Sequence, residues 1–399
     1  MKKEILNFDF NQKRVLLRCD FNLSLDKEEM LDHLRIERTK ETIDFLKSKK
    51  AKIILISHLD NPQEILNLKE RIKKCSLNQI VGKLEKYFGK INFIPEIVGK
   101  DVEKAVSKLQ PGEIILLENL RFDVREENLD ENFAKELAKL GDVFINEAFS
   151  ASHRNHTSIV LLPKYLPSFL GFNFEKEIEN LQKILKSFSR PLVIIIGGVK
   201  INSKIKFIEK FIKIADHILL GGKAANEILS VKGIYIGRPL PEDKEIIDKI
   251  LNLDITNPKI HLPFDVVSAL KDGENFITRI TAPAAVRKEE DVLDIGPETI
   301  LSWKNILSEA KTVFWSGPLG FFENEKFSNG TREISKFLSS QNNILTLAGG
   351  GDTISALQKF NVLDKFSYVS TGGNAMLDFL SNETLPGIEA IEKFSKKIK

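Results

Sequence analysis

The 399-residue sequence is poor in cysteine, methionine, tryptophan and tyrosine, with two, three, two and four of each. Two cysteines, Cys19 and Cys75, are too few for a disulfide framework or a cysteine-built zinc centre. No run approaches the ~18 consecutive apolar residues of a transmembrane helix. Asn7 and Asp9 interrupt the apolar stretch that a secretory leader would need after the basic start. A surplus of charge of one sign is also missing, since 59 Lys+Arg against 56 Asp+Glu leave only +3. That balance removes the electrostatic case for a nucleic-acid or membrane-surface binder. The expectation is a cytoplasmic protein with small-molecule partners, and neither nucleic acid nor membrane among them.

Familiar catalytic signatures are absent too. No G-x-x-x-x-G-K-[ST] occurs: the stretch 217–223 lacks the first glycine and is followed by Ala224. No G-x-G-x-x-G opens a helix after a strand, and no G-x-S-x-G elbow exists. His153 and His156 have a spacing that could suggest a metal, but no third or fourth ligand lies nearby. Arg154 between them suits an anion better, with the histidines assisting.

Hydrophobic residues supply 42% of the chain, enough for one or two sizeable cores. Short apolar runs recur at 14–19, 53–57, 114–117, 143–146, 192–196, 217–220, 312–315, 344–347 and 368–370. Several show no polar alternation, as expected of strands covered on both faces. Helical patterns at 35–49, 133–140 and 204–215 lie between them. Strand and helix alternate from one end to the other, which predicts an α/β fold with parallel sheets. At roughly 150 residues per domain, two or three domains are expected. Pro163, Pro167 and Gly171 place the boundary near 162–179.

Ligands in such sheets bind beyond the carboxyl ends of the strands. There the two halves differ. Before about residue 160 the loops carry Asp20, Asn22, His58, Arg121 and Arg154, a set suited to a small anion through guanidinium forks. After about residue 190 they carry glycine clusters at 197–198, 221–222, 349–351 and 372–373. Glycine turns let the backbone approach phosphates or a flat base, so this half suits a nucleotide. Asp352 after the triplet can hold Mg²⁺, and Thr353 can cap the next helix or donate to a phosphate. Lys200 and Lys204, four apart, are expected on one face of a first helical turn, where an anionic ligand would offset their clash with the helix dipole.

In chain order, Arg18-Cys-Asp-Phe-Asn22, Ser57-His-Leu-Asp-Asn-Pro62, Leu117-Glu-Asn-Leu-Arg-Phe122 and 146–158 resemble the signatures of the phosphoglycerate kinase family. Gly197-Gly-Val-Lys-Ile-Asn-Ser-Lys204, 315–323, Gly349-Gly-Gly-Asp-Thr353, Ser370-Thr-Gly-Gly373 and Leu385-Pro-Gly-Ile-Glu389 continue the resemblance over essentially the whole chain. It implies two doubly wound parallel-sheet (Rossmann-like) domains joined by a hinge. Residues 1–165 would form a 3-phosphoglycerate domain completed by 385–399, 166–184 the hinge and interdomain helix, and 185–384 a nucleotide domain. The implied reaction is reversible phosphoryl transfer between 1,3-bisphosphoglycerate with ADP and 3-phosphoglycerate with ATP, assisted by Mg²⁺ and by domain closure. A monomer would suffice.

Residue by residue, the resemblance implies Asp20, Phe21, Asn22, Arg35, His58, Leu59, Asp60, Asn61, Arg121 and Arg154 for the 3-phosphoglycerate site. For the nucleotide it implies Lys200, Lys204, Gly221, Gly222, Pro318, Glu323, Gly350, Gly351, Asp352 and Thr353, with Asp352 on the metal. Gly372 and Gly373 would offer amides to the transition state, and Arg35 and Lys200 would be catalytic. Four departures stand out. The family's Ser-His-Leu-Gly-Arg-Pro carries Asp60 and Asn61 here, so an arginine of the anion cluster is missing. Lys223 stands where a glycine usually lies near the adenine, and Glu147 replaces an aspartate. Asp60, Asn61 and Lys223 motivate a second reading, a catalytically weakened homologue that binds a nucleotide or a partner.

Overall fold

The computed structural model describes residues 2–25, 30–65, 67–199, 201–234, 243–273 and 275–395. The chain divides into two compact units, Met1–Glu179 with Asn382–Lys399, and Asn180–Ser381. The division falls within the helix Phe172–Lys186.

In the first unit the strands are β1 Arg14–Arg18, β2 Lys52–Ile56, β3 Asn92–Ile94, β4 Ile114–Leu117, β5 Val143–Asn146 and β6 Ser168–Leu170. They form one parallel sheet in the order β3-β4-β2-β1-β5-β6. Why the runs lack polar alternation is plain from their packing. Val15, Leu17, Ile53, Leu55, Ile114, Leu116, Val143 and Ile145 fill a core on one face. Leu16, Ile54, Ile115, Leu117 and Phe144 fill a second core on the other. Successive side chains of a strand point to opposite faces, so both faces must be apolar. The last helix, Pro386–Ser395, belongs to this unit, where Gly387 N donates to Ser152 O at 3.0 Å.

The second unit holds β7 Leu192–Ile196, β8 His217–Leu220, β9 Ile260–His261, β10 Val266–Asp272, β11 Asn275–Thr281, β12 Asp291–Ile295, β13 Thr312–Ser316, β14 Leu345–Gly349 and β15 Tyr368–Ser370. Six of them form a parallel sheet, β15-β14-β13-β7-β8-β9. The other three form an antiparallel sheet, β11-β10-β12. This antiparallel sheet corrects the expectation that strand and helix alternate throughout. Its strands are partly exposed and mix apolar with polar residues, so they give no long continuous apolar run.

Strand order sets where ligands can enter. In the first sheet β1 lies between β2 and β5, so the chain leaves β1 to one side and β5 to the other. In the second, β7 lies between β8 and β13. Loops that diverge at such a reversal leave a crevice beyond the carboxyl ends of the two strands.

One local fit explains a departure noted above. Glu147, just past β5, is buried; its Oε1 accepts from Thr42 Oγ1 at 2.8 Å and from Asn173 N at 3.1 Å. Burial pushes its carboxyl up to about 8. A Cβ on Gly171 would sit 1.7 Å from Glu147 Oε2, so the glutamate occupies the space that a side chain at 171 would need. Gly171→Ala is expected to destabilise the protein by about 3 kcal/mol or more in denaturant unfolding, through overpacking. Shortening the partner in Gly171→Ala/Glu147→Asp is expected to recover most of that loss, and equal instability of single and double variants would contradict the fit.

Candidate active site

In the first unit the crevice between β1 and β5 gathers the expected polar residues. Arg35 lies in the helix Met30–Ser48, beside Ile36, whose side chain is buried against the sheet. Its Nε meets Asp20 Oδ2 at 3.0 Å, and its Nη1 donates to Asn22 O at 2.5 Å. Asp20 Oδ2 also accepts from Ser150 Oγ, which ties the loop after β1 to the loop after β5. Arg121, in the short turn after β4, is buried. Its Nη1 donates to Asp60 O at 2.7 Å, and its Nε faces Glu127 Oε1 at 3.0 Å. Arg154 is exposed and, among the described residues, has no ion-pair partner. His58 is buried beside Arg18, Arg35, Arg121 and Arg154, and desolvation together with these four cations drives its pKa well below the ordinary imidazole value. His156 is pushed down to about 3 by burial and by Arg18, Arg121 and Arg154. Both rings are therefore neutral at pH 7, and the arginines carry the positive charge of the cluster.

The structure brings Asp20, Asn22, Arg35, His58, Asp60, Arg121 and Arg154 together. It does not offer the side chains of Phe21 and Leu59 as ligands, because both lie in the hydrophobic core. The backbone N–H of Phe21 donates to Ser57 Oγ at 2.9 Å. The missing arginine at 61 is not replaced in kind. Asn61 Nδ2 donates to Glu64 Oε1 at 2.6 Å, in the turn that follows. Asp60, where the family pattern has a glycine, holds a left-handed conformation with φ of 54°, a region that aspartate tolerates better than most residues. Its backbone N–H donates to Asn22 Oδ1 at 2.7 Å, so the turn is kept although the charge has changed.

Sequence reasoning missed Arg18, which is fully buried at the end of β1, and Glu126, its counter-charge. The signal was available: an arginine that closes the apolar stretch Val15–Leu17 at the buried end of a strand has to find partners inside the fold.

In the second unit the loops after β7 and β13 lie against each other. Gly198 N donates to Pro318 O at 2.6 Å, and Gly222 N to Leu319 O at 3.1 Å. A Cβ on Gly197 would meet Pro318 O at 2.1 Å, which is why the glycine pair is required. Beside this contact opens a cavity of about 640 Å³, lined by Gly198, Gly222, Pro318, Glu323 and Asp352. Its far wall, Asn226 and 291–295, comes from a helix and from β12 of the antiparallel sheet, and sequence reasoning did not find it. Asp291–Ile295, with aspartates at 291 and 294 around Val292 and Leu293, shows neither an unbroken apolar run nor a period-two alternation, so no strand signal marks it.

Lys204, in the first turn of the helix Asn202–Ile214, is buried and donates to Gly197 O. The expected pairing of Lys204 with Lys200 on one helix face involves Lys200, which lies outside the described residues. Burial lowers Lys204 to about 8, and Asp352 and Glu227 work in the opposite direction. Gly350, with φ of 101°, caps the helix Gly351–Lys359. Thr353 is committed internally: its Oγ1 accepts from Gly317 N at 2.7 Å and donates to Gly349 O at 2.9 Å. Gly221 caps the helix Gly222–Val231. Gly372 and Gly373 follow β15 and do not line the cavity. Lys223 does line it, with Nζ 4.0 Å from Glu227 Oε1 and most of its side chain in solvent.

An arginine-lined anion crevice in one parallel α/β unit, and a glycine-walled cavity with a buried lysine in the other, define a two-unit α/β protein built for phosphorylated ligands. Comparison with known proteins gives the family. The sequence profile of phosphoglycerate kinase matches residues 5–383. Phosphoglycerate kinase of Aquifex aeolicus (strain VF5) is 39% identical over 394 residues, covering 96% of this chain and 97% of its own. That of Orientia tsutsugamushi (strain Ikeda) is 40% identical over 387 residues, covering 95% and 94%. Among solved structures, phosphoglycerate kinase from Coxiella burnetii superposes with a TM-score of 0.79 at 32% identity, covering 98% of this chain and 99% of that one. The enzyme from Pyrococcus horikoshii OT3 gives 0.84 at 27% identity, covering 99% of each chain. The chain belongs to the phosphoglycerate kinase family.

Because Lys204 sits near 8 when the cavity holds no anion, phosphates placed beside it should raise its pKa. Binding of a nucleoside diphosphate at pH 8 is then expected to take up a fraction of a proton. Affinity is expected to fall as pH rises through that value. Calorimetry in two buffers of different ionisation enthalpy checks this; equal heats in both, or uptake that survives Lys204→Met, would contradict it.

Proposed function

We propose that this chain transfers a phosphoryl group reversibly between ATP and the carboxylate of 3-phosphoglycerate, and that each substrate is held by one unit. The observation that carries this reading is the pairing of two half-sites of opposite design within one family fold. One is a crevice with four arginines and two neutral histidines; the other is a glycine-walled cavity beside a buried lysine.

On this reading Arg35, Arg121 and Arg154 hold the phosphate and carboxylate of 3-phosphoglycerate. Asp20 and Asn22 orient Arg35 through the contacts given above. Gly198, Gly222 and Pro318 form the wall against which the nucleotide lies, Glu323 faces its ribose, and Lys204 with the amides at 350–353 faces its phosphates. Lys200 is assigned with Arg35 to the transferring group by the family pattern, as are the amides of Gly372 and Gly373. The helix Phe172–Lys186 is the hinge element. No general base is needed, since the accepting carboxylate is already ionised, and the chemistry rests on alignment and positive charge.

Mg²⁺ fits the residues present. Among the described residues no group of three or more His, Cys, Asp or Glu could hold a metal by itself. Asp352 offers one exposed carboxylate at the cavity wall. One carboxylate together with nucleotide phosphates is the usual way this ion is held. When bound, the ion neutralises charge on the phosphate oxygens.

The missing arginine at 61 weakens the anion crevice without emptying it, because Arg35, Arg121 and Arg154 remain. The test is 3-phosphoglycerate-dependent consumption of MgATP, with Arg35→Ala beside the unaltered protein. Turnover is expected, and the variant should lose about 10²–10³-fold in kcat while ADP affinity stays nearly unchanged. No dependence on 3-phosphoglycerate would overturn the reading, and a large loss of ADP binding in Arg35→Ala would overturn the assignment of that residue.

A further inference from the structure

The roles assigned above leave Arg18 without one, although it is among the largest fully buried side chains of the protein. A guanidinium out of water must place its N–H groups on acceptors, and it can only donate. The partners are all identified. Nε donates to Ser158 Oγ at 3.0 Å, Nη1 to Cys19 O at 2.5 Å, and Nη2 lies 3.2 Å from His58 Nδ1. Ser158 completes the charge balance. Its Oγ donates to Glu126 Oε1 at 2.6 Å and its N–H to Glu126 Oε2 at 3.0 Å, so both oxygens of the buried carboxylate accept. Glu126 and Arg18 are thus linked through the serine hydroxyl, which accepts from one and donates to the other.

The consequence falls on His58. Because Arg18 has no acceptor, the Arg18–His58 contact exists only if Nδ1 is the acceptor, without a proton. The charged groups that face the ring are Arg18, Arg121, Arg154 and Arg35, and all four oppose a second proton. The one ring proton therefore belongs on Nε2, which has no hydrogen-bond partner among the described residues.

We propose that Arg18 is a positioning residue that fixes His58 as the Nε2–H tautomer, so that the ring presents one constant hydrogen-bond donor to the anion held by Arg35, Arg121 and Arg154. The tautomer claim stands on the geometry alone; its use in the reaction rests on the 3-phosphoglycerate reading.

The test is the two-bond ¹H–¹⁵N spectrum of the full chain labelled at histidine, with the His58 signals assigned by their loss in His58→Gln. A protonated Nε2 and a bare Nδ1 are expected from about pH 8 down to about pH 6, where an ordinary histidine takes a second proton. Addition of 3-phosphoglycerate is expected to move the Nε2 signal. Arg18→Leu, which removes every donor, is expected to lose the single-tautomer signature and to raise KM for 3-phosphoglycerate at least tenfold, leaving KM for ATP unchanged. Arg18→Gln, whose amide can still donate to Nδ1, is expected to restore much of both. An Nδ1–H ring or an imidazolium at pH 7 in the unaltered protein would overturn the proposal, even if Arg18→Leu fails to fold. So would an Nε2 signal that ignores 3-phosphoglycerate in a protein that turns it over. If turnover itself is absent, the functional reading fails while the apo spectrum still decides the tautomer.

Discussion

The gathering of four arginines around one histidine, three of them held largely out of water, is the constraint from which the first unit is built. Arg18, Arg35, Arg121 and Arg154 converge on His58. Bringing cations out of water is costly unless they are paired or hydrogen-bonded. The chain meets most of that cost internally, with Glu126 through Ser158 for Arg18, Asp20 for Arg35 and Glu127 for Arg121. Arg154 is left to solvent, and both nearby histidines give up their charge. What remains is a crevice whose charge a small dianion would complete. The loops that carry these groups follow β1, β2, β4 and β5, so the apolar strands, buried on both faces, fix the spacing of the charges.

The second unit solves a different problem, that of bringing backbone close to backbone. Gly197, Gly198 and Gly317 pack so tightly that a Cβ on any of them would press on a neighbour, and Gly222 would press on Pro318 O. This contact joins the loops after β7 and β13 and leaves the cavity beside them. Lys204 then serves two ends. It donates to Gly197 O, which steadies the glycine turn, and its lowered pKa leaves it ready to be recharged by an anion. The same burial that costs the apo protein stability thus raises the gain from binding phosphate.

How much of this could be read beforehand depended on the kind of residue. Strands buried on both faces, such as β4 and β7, announce themselves as unbroken apolar runs. Glycine clusters and lone charged residues at their ends mark the site loops. A motif does not tell which of its side chains face the core, as those of Phe21 and Leu59 do. Arg18 was passed over because an arginine next to Cys19 at the close of a strand reads as part of a signature and not as a buried charge with its own partners. The β10–β12 sheet escaped because its strands are half exposed, and it supplies a wall of the cavity that no motif marks. The family resemblance added the reaction, which neither spacing nor periodicity contains.

The central claim is that the arginine crevice of the first unit is an anion site, completed by the substrate and made of charge. Its most direct test is the binding isotherm of 3-phosphoglycerate to the protein without nucleotide, measured over a range of NaCl concentrations. The account predicts saturable binding at one site that weakens steadily as salt is raised and that Arg154→Ala, which removes the unpaired cation, diminishes about tenfold or more. Binding that is absent, or that ignores both salt and Arg154, would contradict it.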